Sequence, residues 1–312
     1  MDISLKEKIL GALFGYAIGD SLGLGTEFMT QKEVSRRYPN GLQDYQQIIR
    51  DAHRAQWKRG SWTNDTEIVI KVLESYVALG KFDYKDIACR LREWYLSNPV
   101  DLTRHQRILL SREDYASDPF ESVSKSWQKI GLTENSSECL GKTLFAFLSS
   151  DPLSTAVNLC RLSHPQGRST MASRVIASMT HSLFSFNKPA SYETILGVAN
   201  EMNENVAKYV EQAFFGNIDE FRLDDPDKYW DVRKAMGAAL WCVWHCDSIE
   251  EALLTIVAEG GDADTNASLA VALMGLKYGY SSIPKKYIDH LIDKDRLFEL
   301  ADKLISTIES QE

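Results

Sequence analysis

Apolar side chains in this chain return every three or four positions and almost never every second one. In the first segment Leu5, Ile9, Leu13 and Ala17 form one line with Leu10, Phe14 and Ile18 beside it, and a period near 3.6 predicts a helix over residues 4–22. The same period predicts helices over 67–79, 84–96, 121–130, 138–149, 153–162, 168–184, 191–202, 204–214, 231–245, 248–258, 266–278, 284–292 and 295–309. With alternating strand patterns nearly absent, the fold class is read as all-α. The helices differ in length and share no fixed period, which excludes a stack of equal repeats. Pro, Asp, Gly and Arg collect in 39–61, 99–120 and 215–230, so these are read as long loops of the kind on which sites are built. None resembles a flexible linker, and a single domain over 1–312 is expected.

Glycines recur at 11, 15 and 19 in the first helix and at 23 just past its predicted end. Spaced by four, they share one stripe, where each costs about 1 kcal/mol relative to Ala unless another backbone approaches closely. Gly11 and Gly15 are read as a helix crossing. For Gly19 and Gly23, which flank Asp20, a crossing and a ligand contact stay equally open.

A 44% hydrophobic composition over 312 residues is ample for a core. Charge argues about partners: 35 Lys plus Arg against 44 Asp plus Glu leave −9, which opposes non-specific binding to nucleic acid or to an anionic membrane. At the N-terminus Asp2, Lys6, Glu7 and Lys8 precede only a short apolar stretch that Asp20 interrupts, so no signal peptide is read there. No run approaches the roughly 20 apolar residues of a membrane helix. Five scattered cysteines, at 89, 139, 160, 242 and 246, make no disulfide framework and suit a reducing cytoplasm. The Asn-x-Ser/Thr sequons at Asn64, Asn135 and Asn266 are then accidental.

Chemistry concentrates in two stretches, WTNDT (62–66) and GGDADTNA (260–267). On a continuous helix Asp262 and Asp264 would point about 200° apart, so they converge only in a loop or a first turn. Gly260 and Gly261 permit such an entry, and Thr265 adds a hydroxyl. Thr63, Asn64, Asp65 and Thr66 repeat the arrangement ahead of another apolar run. All these donors are oxygens, so an ion held there is hard: Mg²⁺, Mn²⁺ or Ca²⁺ before Zn²⁺. Each stretch alone reads first as a helix N-cap; convergence of the two would give both a better reason.

Combined with GALFGYAIGDSLGLGTEF (11–28), SHPQGRSTMAS (163–173) and the continuation of the second stretch to Gly279, these residues resemble the ADP-ribosylglycohydrolases in order and spacing over nearly the whole chain. The resemblance implies a compact all-α bundle of many helices with two divalent cations, Mg²⁺ or Mn²⁺, in a central cleft. It assigns Thr63, Asp65, Asp262, Asp264 and Thr265 to the metals. Asn64 stands where members usually carry Asp; its amide oxygen can still coordinate, with one negative charge fewer between the cations. By the same resemblance Asp65 and Asp264 serve the attacking water, while Glu27 and Asp101 assist departure at the ribose. Glu27, Asp101, His164 and Gly261 contact substrate, and Ser136 and Ser137 replace the family's diphosphate loop, with Lys142 at the place of its arginine.

The implied activity is metal-dependent removal of mono-ADP-ribose from modified protein side chains, arginine first, releasing ADP-ribose from a monomeric enzyme. Two alternatives are a hydrolase of serine-linked or free α-linked ADP-ribose and, because of Asn64, a catalytically degenerate binder. Cys242, His245 and Cys246 share a helix face but lack a fourth ligand, and are read as core lining rather than a zinc site. Arg36, Arg37, Arg54, Lys58 and Arg59 with Tyr38 and Trp57 are read as a solvated loop before a nucleic-acid surface.

Overall fold

The computed structural model describes residues 3–130, 136–201 and 205–311. Among the described residues sixteen α-helices occur: α1 Leu5–Gly23, α2 Gln31–Arg37, α3 Asn64–Leu79, α4 Tyr84–Leu96, α5 Arg104–Leu110, α6 Pro119–Ile130, α7 Cys139–Thr143, α8 Pro152–Arg161, α9 Gly167–Phe186, α10 Tyr192–Ala199, α11 Ala207–Phe215, α12 Val232–His245, α13 Ile249–Glu259, α14 Ala263–Tyr278, α15 Lys285–Asp289 and α16 Lys294–Glu309. β structure there is limited to one isolated antiparallel bridge between Ser136 and Asp231. The fold is all-α, as the periodicity requires.

Helices α1 and α14 form the centre and are buried on every side, from Lys8 to Gly23 in the first and from Ala263 to Leu276 in the second. They run antiparallel with backbone against backbone. A Cβ on Gly11 would lie 2.3 Å from the Gly275 carbonyl oxygen, one on Gly15 2.5 Å from that of Val271, one on Gly19 2.4 Å from the Ala267 backbone and one on Gly23 2.4 Å from the Ala263 carbonyl. All four glycines therefore serve the crossing, which settles the reading left open for Gly19 and Gly23. The same contact sets the C-terminal end of α1 against the first turn of α14, so Asp20 and Glu27 come close to Asp262 and Asp264.

Around this pair, α9, α12 and α13 pack on α14, and α3 and α16 pack on α1. A second apolar cluster joins α3, α4, α5, α6 and α8 through Val72, Leu91, Leu109, Trp127 and Leu159. Cys242 and Cys246 are buried in the main core, and His245 bonds the Ala213 carbonyl at 3.0 Å, in keeping with core lining. All five cysteines are free. Asn64 and Asn266 are buried; Asn135 lies outside the described residues. Among the described residues no helix is long and apolar enough to cross a membrane.

Several expectations need correction. The segment 99–120 is not a plain loop, since it contains α5, and α2 was not expected. Both are two-turn helices too short to show a period. Each nevertheless opens with a reciprocal capping box, Thr30 with Glu33 and Thr103 with Gln106, which satisfies two first-turn donors. The helix expected over 138–149 breaks into α7 and a 3₁₀ turn at Ala146–Leu148. Arg54 is not a solvated loop residue. It is buried, donates from Nε to the Gly25 carbonyl at 3.0 Å, pairs with Asp51 at 2.6 Å, and also bonds the Glu27 carbonyl. Residues 51–57 thus strap the turn that follows α1. Lys142 is also buried, with Nζ 3.4 Å from the Glu138 carbonyl.

Candidate active site

Asp20 organises the first acidic stretch. Fully buried, it accepts the Thr63 N–H at 2.9 Å, the Thr66 N–H at 3.0 Å and the Thr66 hydroxyl at 2.6 Å. These bonds satisfy amides that a helix start leaves unpaired. Burial nonetheless pushes its carboxyl up to about 7 against the lowering effect of the bonds. The Thr63 hydroxyl caps α3 by accepting the Asp65 N–H at 3.3 Å. With both threonines engaged in this way, Asn64 and Asp65 are the members of WTNDT that line a cavity of about 680 Å³.

The second stretch enters by a different route. Gly260 and Gly261 have φ of +70° and +69°, a left-handed conformation that glycine adopts readily. A Cβ on Gly261 would lie 1.9 Å from the Leu223 carbonyl oxygen. Its N–H bonds the Met29 carbonyl at 2.9 Å and its carbonyl accepts the Phe28 N–H at 2.7 Å. Gly261 thereby fastens the start of α14 to the turn after α1, and it does not line the cavity. Asp262, Asp264 and Thr265 do.

Thr265 joins the two stretches. Its hydroxyl lies 2.7 Å from Asp65 Oδ2 and 3.1 Å from Asp262 Oδ1, and the Ser137 hydroxyl lies 2.5 Å from Asp262 Oδ2. Glu27, Asp262 and Asp264 each place a carboxylate oxygen within 4.8 Å of the others, and all three are buried. Burial first, then neighbouring acids, pushes Asp65 and Asp264 well above the usual carboxylate range. Asp262 is pushed up to about 7, with burial again the main cause. Four buried carboxylates gathered among hydroxyl oxygens suit a hard divalent cation, which would offset their mutual repulsion.

Glu27 Oε2 is 2.6 Å from His53 Nε2, and the Glu27 hydrogen bond raises the His53 pKa above its ordinary value. Asp101, between α4 and α5, also lines the cavity; burial and the Glu27 charge push its carboxyl up to about 6. His164 lines another part of the wall. Burial holds its imidazole well below the usual range, in the neutral form, and Nδ1 lies 2.7 Å from the Ser163 hydroxyl. The rings of His105 and Trp127 lie 4.6 and 5.7 Å from it, centroid to centroid.

Of the residues assigned from sequence, Glu27, Asn64, Asp65, Asp101, Ser136, Ser137, His164, Asp262, Asp264 and Thr265 line this one cavity, and Thr63 and Gly261 stand behind it. Sequence reasoning missed Phe28, His53, His105, Trp127, Arg168, Trp230 and Arg233 in the wall. For Phe28, adjacency to Glu27 was the available signal; Trp230 falls in a segment already read as site-building.

An all-α bundle holding a cluster of buried acids at the ends of its central helices is the equipment of a glycoside-type hydrolase. The family model for ADP-ribosylglycohydrolase matches residues 1–312, and the chain belongs to that family, whose members hydrolyse glycosidic bonds of ADP-ribose. The chain is 25% identical to ADP-ribosylarginine hydrolase Tri1 of Serratia proteamaculans over 303 residues, covering 96% of this chain and 79% of that protein. It is 26% identical to the ADP-ribosyl-[dinitrogen reductase] glycohydrolase of Rhodospirillum rubrum over 291 residues, 92% of this chain and 91% of that one. A solved structure titled ADP-ribosylglycohydrolase-related protein complex superposes with a TM-score of 0.77 at 23% identity, covering 97% of this chain and 98% of the other.

Proposed function

We propose that this chain is an ADP-ribosylarginine hydrolase that removes mono-ADP-ribose from arginine on a protein, with its whole length acting as one monomeric cytoplasmic domain. The observation that carries the reading is the convergence of Glu27, Asp65, Asp262 and Asp264 on one cavity. The names of two relatives, one acting on ADP-ribosylarginine and one on ADP-ribosyl dinitrogen reductase, support the acceptor class.

Glu27, Asp65, Asp262, Asp264 and Thr265, with the Asn64 amide oxygen, would hold Mg²⁺ or Mn²⁺. Divalent cations there supply Lewis acidity at the reacting centre. Asp65 or Asp264 takes the proton of the water whose oxygen attacks the anomeric carbon. The bond from that carbon to the guanidine nitrogen breaks through an oxocarbenium-like ribose, and Asp101 supplies the proton at the departing nitrogen. His164, being neutral, contacts the ribose as a hydrogen-bonding group rather than as a charge. Ser136 offers its hydroxyl to the diphosphate, whereas the Ser137 hydroxyl is engaged by Asp262, and Arg168 and Arg233 are also in the cavity wall.

Release of ADP-ribose from an arginine-ADP-ribosylated protein with Mg²⁺ or Mn²⁺ tests this. Turnover is expected in the chain as given, abolished in Asp262→Ala, and within about tenfold in Asn64→Asp, since an amide oxygen still coordinates. Turnover only in Asn64→Asp would make the native chain a binder and overturn the reading.

A further inference from the structure

At the end of the cavity where Glu27 lies, the wall is aromatic and acidic at once. Phe28 is 44% exposed and Trp230 49% exposed, although both line a cavity beside a large apolar core. Their ring centroids are 6.3 Å apart with the planes at 71°. Phe28 holds φ of +60°, a conformation that costs a bulky L-residue free energy. Its N–H bond to the Gly261 carbonyl keeps it there. The His53 ring lies 5.3 Å from Phe28 and 5.2 Å from Trp57, centroid to centroid. Phe28, His53 and Trp57 thus form a continuous chain of ring contacts at the cavity wall.

The acids in the wall include Glu27, Asp101 and Asp227, and the Glu27 and His53 charges act on Asp101. Positive charge nearby is largely committed: His53 to Glu27, Arg54 to Asp51 and two carbonyls, and Arg233 to Asp231 through bonds of 3.0 and 2.6 Å. Lys228 also reaches the cavity wall and is exposed. A flat cation with several N–H donors meets both halves of this surface, its plane on the rings and its edge on the carboxylates. A hydroxyl-bearing acceptor such as serine has no planar cation to lay on the rings.

We propose that Phe28 and Trp230 form the acceptor subsite of this enzyme, a ring-face clamp that takes the guanidinium of the arginine from which ADP-ribose is removed onto their exposed faces. The proposal rests on the arginine reading above and adds the residues that select the acceptor. Glu27, adjacent to Phe28, is shared with the carboxylate cluster, so a guanidinium on the exposed rings stands next to the bond being cut. Binding here acts on the acceptor half of the substrate and leaves the ADP-ribose half alone.

The test compares the native chain with the double variant Phe28→Leu, Trp230→Leu on arginine-linked and serine-linked ADP-ribosyl peptides, alongside free ADP-ribose affinity and inhibition by agmatine. The expected result is a KM for the arginine-linked peptide raised about tenfold or more, agmatine inhibition weakened in parallel, and ADP-ribose affinity unchanged. The variant Phe28→Tyr, Trp230→Tyr keeps both ring faces and restores KM to within about threefold. An unchanged KM in the leucine variant overturns the clamp while the arginine reading stands. Lost ADP-ribose affinity also overturns it, because the rings would then hold the adenine. Turnover of the serine-linked peptide alone by the native chain overturns the arginine reading itself, and the clamp with it.

Discussion

At the start of α3, Asp20 takes two amides and the Thr66 hydroxyl, Thr63 caps the helix, and one carboxylate, Asp65, reaches the cavity. At the start of α14, two left-handed glycines bend the chain, backbone bonds to Met29 and Phe28 hold it, and Asp262 and Asp264 both reach the cavity. Similar residue composition thus produces unlike corners. In the first, side chains hold the helix and little is left for the site; in the second, backbone bonds hold the entry, and although Asp264 accepts the Thr265 N–H at 2.9 Å, both acids converge on the cavity. The difference predicts which mutations abolish turnover and which unfold the protein.

The largest effect is expected at the α14 corner. Asp262→Asn should lower kcat/KM for ADP-ribose release about a thousandfold. Its thermal midpoint should not fall, since one of several mutually repelling buried carboxylates has been neutralised. A fall of several degrees with only a modest loss of turnover would mean that Asp262 holds the fold and not the chemistry. At the α3 corner the pattern reverses. Asp20→Ala leaves two amides and a hydroxyl buried without their acceptor and should cost about 3 kcal/mol in urea unfolding. Any loss of turnover should follow that loss of folded protein. An unchanged urea midpoint would refute the organising role assigned to Asp20.

Much of this was legible beforehand, for identifiable reasons. The glycine stripe at 11, 15, 19 and 23 could only be a close crossing or a ligand contact, and the crossing fixes where both corners lie. Alternation of Asp262 and Asp264 behind two glycines marked a first turn, and a first turn is what the structure contains. The short helices α2 and α5 escaped because two turns carry no measurable period, although their capping boxes were in view. Arg54 looked solvated because an arginine among Lys58, Arg59 and Asp51 usually is; its burial depends on the carbonyls of Gly25 and Glu27, which the sequence does not bring near. The partnerships of Asp20 with Thr66, of Glu27 with His53 and of His105 with His164 are tertiary, and no local pattern announces them.

The smallest expected effect concerns how the α14 corner is braced. Glu259, at the end of α13 just ahead of Gly260, is buried, and its Oε2 accepts from Gln31 Nε2 at 2.7 Å. Burial, helped by Asp219 and Asp224, pushes its carboxyl from 4.5 up to about 7. Its folded-state pKa is thus above its unfolded value, so between these two the folded chain binds the extra proton. The stability it contributes is fully present below about pH 4.5 and is lost as pH rises through about 7. Glu259→Gln keeps an amide oxygen for Gln31 and carries no charge. The variant should therefore match the native chain in acid and exceed it at pH 8 by about 1 to 2 kcal/mol, or roughly 3 °C in Tm. A Tm difference independent of pH, measured at pH 5 and pH 8, would show that Glu259 is solvated as an ordinary carboxylate and that the α14 corner depends on its backbone bonds alone.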